Sequence, residues 1–164
     1  APSPPPPPHP PVEEAWDSKR MAVRALMAAG QHLDAMKLVM QEMRRFAERL
    51  DLHTLPIDTS GYYKNPAAFG AALHALATAD GVAEGDRRVR PQEVEHFAGI
   101  VAERGRIFLA LAQPERALQD LRGAAEFHGA LDAETLRDLE AAKEQVAAAL
   151  EAQRRADRAK KVPV

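Results

Sequence analysis

The sequence contains no cysteine. That removes disulfides, thiolate zinc centres and cysteine nucleophiles together. Aromatic residues make up only 5% of the chain. A β-sandwich of this length draws more heavily on aromatic and β-branched side chains, so a core built mainly from Ala, Leu, Val and Met is expected. No apolar run approaches the ~20 residues needed to span a bilayer. Excess positive charge is also missing. The formal net charge is −2 and the pI is near 6.3, which argues against a general nucleic-acid binder, because such a protein needs a basic face to displace counterions. Serines are few (Ser3, Ser18 and Ser60), and none lies in a GxSxG elbow. No GxxxxGK[ST] phosphate loop and no GxGxxG turn occurs.

What is present begins with a low-complexity tract, APSPPPPPHPPV. Proline fixes φ and has no N–H, so the tract cannot be helix or ladder-bonded strand. Polyproline II, rising roughly 3.1 Å per residue, is the expected form. Residues 1–12 therefore read as an extended arm, either a stiff spacer or a docking segment. In the second case Pro4, Pro5, Pro6, Pro7 and Pro8 are candidate partner contacts. The chain starts at Ala1, without Met. The expectation is a mature form after removal of a targeting peptide, or a piece of a longer chain.

From there the pattern is helical. Trp16, Val23, Leu26 and Met27 share a face over 12–29, and Gly30 breaks the run. Leu33, Met36, Val39, Met40, Met43, Phe46, Ala47 and Leu50 recur at helical spacing over 31–50. The short break predicts an antiparallel pair. Residues 52–65 read as a loop, with Tyr62 and Tyr63 packing back. Asn65 and Pro66 cap a third helix that ends at Asp80-Gly81. A loop bearing Arg87, Arg88 and Arg90 leads into a fourth helix, from Pro91 to Ala112, with Val94, Phe97, Val101, Gly105, Phe108 and Ala112 aligned. Pro114 opens a fifth, and Asp132 caps a long sixth whose end is strongly charged. The expected class is all-α, with a helical domain over 13–150 and a charged helix end over 151–164.

Residues 104–131 resemble a tetratricopeptide repeat, a helix–turn–helix unit of about 34 residues. Gly105 takes its small position, Phe108 its aromatic one, Ala112 the small end position, and Ala117, Leu121 and Ala124 the second-helix positions. A weaker match over 22–43 places Leu26, Gly30, Ala35 and Val39 correspondingly, with Val23 and Glu42 departing from the pattern. The separation between Ala35 and Ala117 is not a multiple of about 34, so the middle of the chain is not a regular array. The alternative is an irregular helical bundle. The resemblance implies a scaffold that binds peptides or partner subunits and does not catalyse. It carries over no ligand-binding residue.

Glu93-x-x-His96 has the spacing of carboxylate-bridged di-metal bundles, but no second copy exists, and a solvated helix surface is the plainer expectation. His32, His74 and His128 read as half-buried packing residues, and Met36, Met40 and Met43 as core. Arg154, Arg155, Arg158, Lys160 and Lys161 complement the negative end of the last helix. Together with Arg87, Arg88 and Arg90 they are candidate contacts for a partner, and the C-terminal set also suits an anionic membrane surface. No catalytic residue, metal ligand or cofactor site is expected.

The resulting expectation is a structural or accessory subunit of a multi-subunit assembly, with a mitochondrial enzyme complex as host and the cytoplasm as the other compartment. A free-standing adaptor for short peptides is the second expectation. A metal-binding helical-bundle enzyme is the third.

Overall fold

The computed structural model describes residues 12–127 and 133–161. The proline arm, Asp132 and His128 lie outside the described residues. Six α-helices and two short 3₁₀ turns occur, with no strand among the described residues: α1 Val12–Ala28, α2 His32–Leu50, α3 Pro66–Ala77, α4 Pro91–Ala110, α5 Pro114–Phe127 and α6 Ala133–Lys161. The chain is an all-α bundle with irregular helix packing. Among the described residues no helix is long and apolar enough to cross a membrane.

Local chemistry sets several helix ends. The Asn65 side chain accepts the Ala68 N–H at 3.3 Å and Pro66 stands at the first position of α3. Glu93 accepts the Arg90 backbone N–H at 3.0 Å at the start of α4. α1 and α4 end in the same turn. Gln31 N–H reaches Leu26 O and Gly30 N–H reaches Met27 O; likewise Gln113 N–H reaches Phe108 O and Ala112 N–H reaches Leu109 O. This is a Schellman turn, which needs one left-handed residue. Gly30 supplies it at φ 77 and Ala112 at φ 57. Ala112 is exposed and shapes the turn; it does not pack between helices.

α4 is the axis of the bundle. It packs against α5, α2 and α3, and touches α1 and α6. An amphipathic helix buries one stripe, but α4 is buried all round, with His96, Phe97, Ala98 and the unbroken run from Ile100 to Gly105 inside. The main core gathers Trp16, Phe46, Tyr62, Phe69 and Phe97 with Val23, Val39, Met43 and Leu73. The scarce aromatics are thus concentrated at one centre: Phe46 and Phe97 lie 5.7 Å apart, and Tyr62 and Phe69 4.7 Å. The expected Ala/Leu/Val/Met core describes better the second, smaller cluster of Ala117, Leu121, Leu139 and Ala142.

Close approach of α4 and α5 depends on Gly105. A Cβ there would lie 2.8 Å from Leu121 Cγ and 3.2 Å from Asp120 Cβ. Like Ala112, three further expected packing positions came out differently. Gly30 is exposed, with nothing within 4 Å of where its Cβ would stand. Leu33 is 69% exposed, because α2's outer face has no neighbouring helix in the bundle. His74 is exposed, not half-buried.

Candidate functional site

Charged side chains inside the bundle join its helices. Arg104 and Asp120 are both buried and form a forked pair, Nε to Oδ2 at 2.7 Å and Nη2 to Oδ1 at 2.8 Å. Arg104 also donates to Tyr63 O at 2.8 Å. Burial lifts the Asp120 carboxyl above the ordinary aspartate range, and the Arg104 fork pulls it part of the way back. Arg106 donates to Asp138 and Glu103, each at 2.5 Å, and to Thr135 Oγ1 at 2.9 Å, while Arg24 reaches the same Glu103 oxygen at 2.9 Å. This second group fastens the first turns of α6 to α4 and α1.

Glu42 on α2 accepts from His96 Nε2 at 3.2 Å and from Lys19 Nζ at 2.9 Å. His96 is buried against Trp16 and Phe46. The Glu93–His96 pair therefore does not stand on a solvated surface as expected: Glu93 caps α4, and His96 turns inward to α2. Among the described residues no three metal-ligating side chains converge. The His96 hydrogen bond is the largest influence on Glu42. It outweighs burial and, with Lys19, holds the carboxyl at about 2, against an ordinary 4.5. A folded-state value below the unfolded one means stability present above the ordinary value and lost as pH falls towards the folded one. E42Q is expected to cost on the order of 2 kcal/mol at neutral pH. It should also flatten the loss of stability that the parent shows between 4.5 and about 2. Urea denaturation across that range checks both.

Beside this triad opens a cleft of about 570 Å³, lined by Arg49, Arg87, Arg88, Arg90, Gln92, Glu93 and His96. Three segments build it: the end of α2, the loop before α4, and the first turns of α4. Arg87 donates to the carbonyls of Ala77 and Ala79, closing the end of α3, the second at 2.9 Å. Arg88 holds the turn at Leu52–Thr54 through Thr54 O at 2.8 Å and Thr54 Oγ1 at 2.5 Å. Arg49 lies 5.4 Å over the Phe46 ring. Among the described residues, no ion pair joins any of these four guanidiniums to a carboxylate. The three arginines singled out from sequence are thus brought together. Arg49 completes the set; nothing in the sequence distinguished it from Arg44 and Arg45 on the same helix, which are likewise exposed.

No known family model, curated protein or solved structure matches the chain.

The C-terminal candidates lie elsewhere. No residue from 143 to 161 is buried, although Val146 is half-buried and Ala149 lines a cleft with Gln113, Pro114, Glu115 and Arg116 at the start of α5. Arg154, Arg155, Arg158, Lys160 and Lys161 are all exposed on this part of the helix. Arg155 and Arg158 share Glu151, at 3.4 and 3.3 Å.

Proposed function

We propose that this chain is a non-catalytic accessory subunit that joins protein partners within a larger assembly. The far half of α6 carries the reading. It continues as regular helix to Lys161, and among the described residues none beyond Ala142 is buried; Leu150 is 49% exposed. An unpacked helix end is held by little beyond backbone propensity, because most helical stability in proteins comes from tertiary packing. Five basic residues against Glu151 and Asp157 over 150–161 favour an acidic protein surface as that partner. The first part of the helix is held firmly by Arg106, Arg24 and Leu139, so the free end is presented on a fixed base.

Tetratricopeptide-like packing is part of the proposal. The support is the shared turn: Gly30 and Ala112 occupy corresponding positions in the two matched units, and Ala35 and Val39, like Ala117 and Leu121, are buried after it. A mitochondrial enzyme complex is the proposed host. A second reading, the peptide adaptor, is favoured by a groove of about 420 Å³ along α2, lined by Leu33, Met36, Lys37, Met40, Gln41 and Arg44.

Hydrogen exchange tests the main reading. In the isolated chain, amides of 150–161 are expected to exchange as fast as free peptide, and to become protected in natively purified material. R154E/R155E/R158E should weaken partner retention about tenfold at low salt, because interfacial charge pairs are reversed rather than merely lost. A monodisperse monomer that retains no partner in native purification, with unprotected 150–161 amides, overturns the proposal.

A further inference from the structure

We propose that the arginine cleft is a binding site for a small molecule carrying two or more phosphate groups. The cleft is distinct from the free end of α6, and the inference is independent of the accessory-subunit reading.

Charge comes first. Arg49, Arg87, Arg88 and Arg90 surround one concavity, and Glu93 is the one carboxylate among its lining residues. One oxygen of Glu93 is engaged by the Arg90 backbone N–H. Four guanidiniums face one carboxylate, and like charges gathered with so little counter-charge destabilise a fold through mutual repulsion, which an anion bound among them would relieve. Guanidinium is the group suited to this, because its planar fork matches two phosphate oxygens at once and it is less strongly hydrated than ammonium.

Preorganisation is the second argument. Arg87 and Arg88 are anchored by backbone carbonyls on the elements behind them. Both Nη atoms of each donate to the protein, so these two supply fixed positive charge at the rim, set before a ligand arrives, rather than a free fork. Among the described residues Arg49 and Arg90 form no such anchor; both are exposed, with Arg49 over the Phe46 ring.

Size and shape select the ligand class. About 570 Å³ falls in the range of small-molecule pockets and exceeds the needs of one inorganic phosphate. The four arginines come from three segments of the chain and line one concavity. A nucleic acid would call for an extended basic stripe, and the chain's net charge of −2 does not favour one.

Isothermal titration of the full chain with pyrophosphate, and separately with inorganic phosphate and sulfate at matched ionic strength, tests the site. Pyrophosphate is expected to bind with a micromolar dissociation constant and at least tenfold more tightly than sulfate. R49Q and R90Q, which remove no hydrogen bond that holds the fold, should each weaken it about tenfold. R154Q/R155Q on α6 should leave it unchanged. Absence of pyrophosphate binding at millimolar concentration overturns the proposal. So does equal affinity for sulfate, or binding lost in the α6 variant and retained in R49Q/R90Q.

Discussion

Arg104→Met is expected to destabilise the fold by about 3–5 kcal/mol, and Asp120→Asn by a similar amount. Each change strands a charged group in a place water does not reach, since both side chains are almost fully enclosed. In R104M the Asp120 carboxylate loses its forked partner. Met43 Sδ loses a weaker contact at 3.4 Å, and Tyr63 O loses its donor but sits on a residue that remains partly exposed to water. The pair itself is not expected to be worth that much. Taking two ions out of water costs about as much as their attraction returns, and the upward pull of burial on Asp120 reflects that cost. R104M/D120L, which replaces both ions by apolar groups, should therefore lie within about 1 kcal/mol of the parent. Urea denaturation of the parent, the two single variants and the double variant measures the coupling. Single variants within about 1 kcal/mol of the parent would mean that water enters between α4 and α5.

Gly105→Val should lower stability by about 3 kcal/mol, seen as a fall in Tm of about 10 °C. The obstacle is Leu121 Cγ, which stands 2.8 Å from where the first side-chain carbon must go. Leu121 is fully buried and cannot swing aside. Gly105→Ala is the sharper comparison. Alanine favours helix over glycine by about 1 kcal/mol, so a neutral steric environment would make it stabilising. Here α4 and α5 must separate, and a net loss is expected. G105A combined with L121A should recover part of the loss relative to the sum of the two, because the obstruction is gone. A G105A variant more stable than the parent would show that the two helices yield readily.

Helix existence was legible from side-chain spacing and capping residues. Asn65-Pro66, Pro91 and Pro114 mark three starts, and Gly30 one stop. Boundaries moved by a residue or two where the turn, not the stripe, set the end: α4 stops at Ala110 because Ala112 takes the left-handed position. Burial of α4 was not legible. Its apolar stripe of Val94, Phe97, Val101 and Gly105 predicts one inward face, and residues such as His96, Glu103 and Arg104 read as the outward one. They are buried because α1, α2, α3, α5 and α6 approach from all sides, and each polar group finds a partner on another helix: Glu42 for His96, Arg24 for Glu103 and Asp120 for Arg104. Leu33 shows the reverse, an apolar position on a clean stripe that no helix covers.

The cleft shows the same division. Arg87, Arg88 and Arg90 are neighbours in sequence, so their proximity needed no fold. Arg49 joins them only because α2 ends beside the start of α4.

By itself the sequence determined the helical class, half of the helix starts and the small side chain at Gly105, because backbone propensity, capping and side-chain size act over a few residues. Tertiary structure alone decided which charges lie inside, which apolar face stays bare and where four guanidiniums meet. Those outcomes depend on distances between residues dozens of positions apart, which periodicity does not encode.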